Sequence, residues 1–323
     1  MIVSACSDGE NVSSSGGAGG ADAGPQRDAS AVDAPAGDPN VVVGNFAIQL
    51  VGPSATGPGY TQIAGRVQDG PTPSQVIWET QAVAGDCRLL VPRVPFCASP
   101  CAGGVCVEND TCRAYPVSQG VGAVQVTGVR TSTGESAFAL TLVSNAYQFV
   151  SEASLPYPAF AEGDTIRVSA AGSGFASAFA LETRGIAPLV LDRARYPVES
   201  EMPLALGWAA PSGAAAAEQQ IRVRLDISHH GGTRGKIECS TADDGALSID
   251  AGLVSRLVSL GVAGFPTVVV SRVRTGAAVI RAGRVELNVS HEVEVPVDIP
   301  NLRSCNSDTD CTSGACRADR TCG

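Results

Sequence analysis

The chain has 323 residues, enough for two domains of ordinary size with tails. Its 32 acidic against 22 basic residues give a net charge of −10, and Lys236 is the single lysine. The clustered positive charge that tracks a phosphate backbone is missing, which excludes nucleic-acid binding.

A hydrophobic content of 44% supplies real cores, while 37 Gly and 20 Pro among short β-branched runs favour turns and strands over long helices. At the N-terminus, Val3-Ser4-Ala5-Cys6 looks like a bacterial lipobox, in which small residues precede a cysteine that becomes lipidated. Five residues precede Cys6, fewer than a charged region and an apolar segment need. Two readings follow: residues 1–6 are the remnant of a signal whose start lies upstream, or Cys6 is an ordinary thiol in a tail. Parity favours lipidation, because ten of the eleven cysteines then remain to pair with one another. Of the 34 residues from Ser7 to Asn40, 27 are Gly, Ala, Ser, Asp or Pro. Such a segment buries too little apolar surface to offset ordering and is expected to be a disordered tether spanning roughly 30 Å. Ser7, rather than Asp, after the lipidated cysteine favours export to the outer membrane. The expected partner is therefore a membrane, reached through a lipid on Cys6.

Residues 41–200 read as a first β-domain. Val41 to Val43, Phe46 to Val51, Tyr60 to Val67 and Gln75 to Val83 are strand-like runs between Gly/Pro turns, followed by Val121 to Val129, Ser136 to Val143, Asp164 to Ala170 and Ala176 to Glu182. Their spacing suggests a β-sandwich. Pro156 and Pro158 make Ala153 to Asp164 a loop.

Within this region, residues 87–115 read as a cysteine-rich insertion. Cys101, Cys106 and Cys112 have the spacing C-x4-C-x5-C, and Cys311, Cys316 and Cys322 repeat it near the C-terminus. Each copy has a Gly two residues before its middle cysteine, a Thr before its last, and an upstream cysteine, Cys97 or Cys305. Disulfides in an oxidising compartment are the expectation. Zinc is the rival, but His229, His230 and His291 lie far from both clusters in sequence. Spacing does not give the connectivity. The pairs expected are Cys97–Cys106 with Cys101–Cys112, then by analogy Cys305–Cys316 with Cys311–Cys322, which leaves Cys87 and Cys239 to each other.

Residues 201–300 read as a second β-domain, and 301–323 as the C-terminal cysteine module. Leu204, Leu206 and Trp208 alternate; Ile221, Val223, Leu225 and Ile227 alternate with Arg222, Arg224 and Asp226. Val285 to Ile299 keeps period two throughout. One helix is predicted, capped by Asp250, with Leu253, Val254, Leu257 and Val258 as its apolar stripe and Gly261 as its end. The fold class expected is all-β: two sandwich-like domains, the second immunoglobulin- or fibronectin-like with one short helix, plus small disulfide-rich modules.

These features resemble secreted lipoproteins of the myxobacterial kind. The resemblance rests on Leu204-x-Leu206-x-Trp208, Ile237-Glu238-Cys239 with Asp243-Asp244-Gly245, the Val-rich run to Ile299, Leu155-Pro-Tyr-Pro158 before Glu162-Gly163-Asp164, and the run from Cys305 to Cys311. It implies a surface location and carries over no catalytic residue.

Candidate chemistry is sparse. His229-His230 at a hairpin turn would need Asp226 or Glu238 to complete a metal site, and a solvated turn is the simpler reading. His291 falls in an apolar phase, as a satisfied, partly buried histidine would. Asn306, Asp308 and Asp310 imitate the start of a calcium loop, but Cys311 and Arg317 stand where Gly and Glu are required. Asp243-Asp244-Gly245 reads as a turn. No nucleophile-elbow, H-E-x-x-H or P-loop pattern occurs, and no catalytic residue, metal or cofactor is expected. The leading expectation is a non-catalytic surface component for binding or envelope structure. One alternative is a carbohydrate-binding or adhesin module, which would show an aromatic platform despite having only Trp78 and Trp208. The other is an extracellular hydrolase with facing carboxylates.

Overall fold

The computed structural model describes residues 37–323 except 56, 213–217, 231, 233 and 313; Cys6 and the start of the tether lie outside the described residues. The protein is all-β with one α-helix among the described residues. Its organising element is a hairpin of β17 (Thr267–Ile280) and β18 (Gly283–Asp298), paired in register along their length. The period-two run expected from Val285 onward forms β18.

One sheet extends from both sides of this hairpin. On the β18 side, β1 (Val42–Val51) adds in parallel, and then β2 (Tyr60–Val67), β9 (Ala146–Gln148), β8 (Ala137–Val143), β7 (Val124–Thr127), β10 (Thr165–Ala170) and β11 (Phe179–Arg184) follow. On the β17 side come β14 (Gln220–Asp226), β15 (Lys236–Ala242), β4 (Cys87–Arg93) and β3 (Ile77–Ala84). The short β12 (Tyr196–Pro197) extends the edge of β18. Alternation sets which face is buried: Ile221, Val223 and Leu225 of β14 point inward while Arg222 and Arg224 are exposed.

Two cores form on this sheet. The first lies where the sheet curls and β11 comes to rest on β17 and β18. Gly276 permits that approach, since a Cβ there would sit 1.9 Å from the Glu182 carbonyl oxygen. Phe46, Ile48, Phe160, Ile166, Leu181 and Leu287 fill this core. In the second, the inner face of β14, β15 and β4 is covered by α1 (Ala251–Ser259) and by the pair of β13 (Leu204–Gly207) and β16 (Ala246–Ile249), which makes a two-layer sandwich. Asp250 caps α1 by accepting from the Gly252 and Leu253 amides, Leu253, Val254 and Leu257 are buried, and Gly261 leaves the helix at φ +97°.

The second core draws strands from both sides of residue 200, because β3 and β4 pair onto β15. Cys87 is accordingly a ladder residue of the large sheet, and the cysteine-rich excursion begins after Arg93. That excursion holds the hairpin β5 (Gly104–Glu108) and β6 (Thr111–Ala114). The two cores also share the central hairpin. Ile280, Val285 and Leu287 belong to the first core; Val268, Val270, Val295 and Val297 belong to the second.

Candidate functional site

All ten cysteines among the described residues form disulfides: Cys87–Cys239, Cys97–Cys106, Cys101–Cys112, Cys305–Cys316 and Cys311–Cys322. Cys87 and Cys239 are direct cross-strand partners on β4 and β15. The modules share a first-to-third, second-to-fourth pattern, so their clustered sulfurs are consumed in bonds to one another and offer no thiolate to a metal. Arg93 fastens the first module to the sheet, with Nε on Glu79 at 2.6 Å and its two terminal nitrogens on Glu108 at 2.8 and 3.0 Å. These bonds hold the Glu108 carboxyl down at about 2. The second module docks through Cys305, which is buried, and through the Gly264 amide donating to the Asp319 carbonyl at 2.6 Å.

Where the inward phase of the central hairpin passes between the two cores, it turns polar. Arg272 is buried and pairs with Asp243 at 2.5 Å; its guanidinium also donates to the carbonyls of Ala187, Pro188 and Ala209. Asp243, equally buried, accepts from Trp208 Nε1 at 2.7 Å. Every charge here is both paired and hydrogen-bonded, as burial requires. His291 lies opposite Arg272 on β18. Its Nδ1 accepts from the Leu189 amide at 2.7 Å, which leaves the proton on Nε2, 3.4 Å from the Tyr157 hydroxyl. Burial, followed by the Arg272 charge, holds the His291 imidazole below its ordinary value, so the ring is neutral near pH 7. Asp243 is therefore an interior anchor, where the sequence suggested a turn; Asp244 does the turn's work by accepting from the Ala246 amide.

The remaining candidates have local partners. The rings of His229 and His230 touch at a tilt of 58°, their centroids 3.9 Å apart. Asp226 accepts from the amide and hydroxyl of Ser228, and Glu238 is bound to Lys236 and Arg88, so neither proposed third ligand turns toward the histidines. Asp310 accepts from the Asn306 and Ser307 amides and Asp308 from the Cys316 amide, which makes these carboxylates braces of the C-terminal module.

The outer face of the second core's sheet holds a groove of about 620 Å³ across β4, β15, β14, β17 and β18. Strand register arranges its side chains in rows. One row runs Arg88, Glu238, Arg224, Val269, Glu294; the next runs Ser240, Arg222, Ser271, Glu292. Glu238 is held by Lys236 at 2.6 Å and by Arg88 at 3.2 Å. Burial alone would raise its carboxyl, but those two cations bring it below the usual range. Lys236 also lies 3.8 Å over the Trp78 ring. The side chains of Arg222, Arg224 and Glu294 have no hydrogen-bond or ion-pair partner among the described residues. The sequence showed the arginines as the exposed phase of a strand. It gave no sign that β17 and β18 would complete the face.

No family model matches the chain, and no curated protein matches it. Among solved structures, the FN1–FN3 domains of chicken CNTN1 match 74% of this chain and 71% of that one at 8% identity, with a TM-score of 0.17. At that TM-score the match supports no conclusion about arrangement or function. No helix among the described residues is long and apolar enough to cross a membrane.

Proposed function

We propose that this chain is a non-catalytic binding or structural component of a bacterial envelope, held at the outer membrane or cell surface by a lipid on Cys6. The observation that carries this reading is the pairing of all ten cysteines between Cys87 and Cys322. Disulfides persist in oxidising compartments and are rare in the cytosol. Cys6 is the one cysteine left over, and it sits in a lipobox-like sequence ahead of a tether.

Binding fits the groove better than catalysis does. A hydrolytic carboxylic acid needs its pKa raised toward neutrality, whereas Glu238 in the groove is held below its ordinary range by Lys236 and Arg88 despite its burial. A glycan platform needs free aromatic faces, and no aromatic side chain among the described residues lines the groove; Lys236 lies over the Trp78 ring and Trp208 is buried. What the groove presents is fixed charge on a rigid sheet, which suits a charged partner.

The test is the mass of the N-terminal tryptic peptide from native membranes. A diacylglyceryl adduct on Cys6 is expected. An unmodified Cys6 thiol would remove the membrane anchor from the proposal.

A further inference from the structure

The charged groove is self-complementary. Arg222 and Arg224 form a basic column on β14, and Glu292 and Glu294 form an acidic column on β18, all four exposed. Between them β17 contributes Val269, which is buried beneath its neighbours, and the half-buried Ser271, neither of them charged. The columns lie two strand spacings apart, about 10 Å. Within one protomer these charges do not meet: Glu292 accepts from Ser271, while the side chains of Arg222, Arg224 and Glu294 have no partner among the described residues. Elsewhere on the same sheet, Arg88, Lys236 and Glu238 do pair.

We infer that this face binds a second copy of the same chain through a two-fold axis running along β17. Turning one copy by 180° about such an axis exchanges the two columns and preserves position along the strand. Arg222 then faces Glu292 of the second copy and Arg224 faces its Glu294, and the reciprocal pairs form by symmetry. That is the requirement for an isologous interface, in which one patch complements itself. The register does this without adjustment, because Arg222, Ser271 and Glu292 share one row and Arg224, Val269 and Glu294 share the next. The inference deepens the reading of this groove as a binding surface by naming what it binds. Exposed ion pairs hold such a contact, so it is weak and salt-sensitive. Two copies tethered to one membrane would meet at a raised effective concentration.

The experiment is sedimentation velocity on the full chain carrying Cys6→Ser, which prevents a free thiol from linking copies. A concentration-dependent dimer is expected at low salt, dissociating in about 1 M salt, where the Debye length is about 3 Å. Arg224→Glu alone and Glu294→Arg alone should each abolish the dimer, and the two together should restore it. These side chains are exposed, so circular dichroism of each variant should match the parent. A chain that stays monomeric at low salt and high concentration overturns the inference. So does a dimer that survives both single reversals, or a double variant that fails to reassociate. The lipid on Cys6 is decided separately by its mass, so failure of one proposal is distinguishable from failure of the other.

Discussion

Asp243 joins the end of β13 to β17 inside the protein, because Trp208 and Arg272 both donate to it. Asp243→Ala leaves the guanidinium buried without its counter-charge, and the expected cost is about 3–5 kcal/mol. Urea unfolding would measure it; a loss below about 1 kcal/mol would contradict the assignment. His291 makes a pH prediction whose sign is fixed. Its folded pKa is depressed, so between that value and the ordinary imidazole value near 6.5 the unfolded chain binds more protons. Stability contributed here is complete above about pH 7 and declines as pH falls through 6.5 toward the folded value. His291→Gln should flatten that part of the curve in denaturation midpoints measured from pH 7.5 to 5.5. The sequence placed His291 in an apolar phase, and Arg272 shares that phase on β17. Asp243 was hidden, since an Asp-Asp-Gly run reads as a turn whichever carboxylate faces inward.

At the scale of elements, local periodicity was a good guide. Alternation located β13, β14 and β18, strand-like runs between Gly/Pro turns located β1 and β2, and an aspartate cap, an apolar stripe and a terminal glycine located α1. Pairing order was not legible, because it depends on contacts remote in sequence. Nothing local to Cys87 indicates that β4 joins β15, 152 residues away at the Cys87–Cys239 bond. That bond ties an edge pair of strands to the second core. Replacing both cysteines with serine should cost about 2–4 kcal/mol and raise hydrogen exchange first in β3 and β4. Unchanged protection in those strands would show that the ladder holds without the disulfide. The cysteine modules were legible as a repeat, since the spacing and the Gly and Thr positions recur.

For the whole molecule, one hairpin serves two cores, and the polar cluster of Arg272, Asp243 and His291 marks the passage between them. Composition showed the all-β class. The way the sheet curls over Gly276 and leaves its outer charged face open depended on tertiary contacts. Every cysteine from Cys87 to Cys322 is paired in the folded chain. The most direct measurement is to alkylate the protein without reduction in the cells that make it and map the digested peptides by mass. No alkylation is expected from Cys87 to Cys322, and the five disulfide bonds should have the pairing described above. Free thiols at these positions, or a different set of pairs, would contradict it.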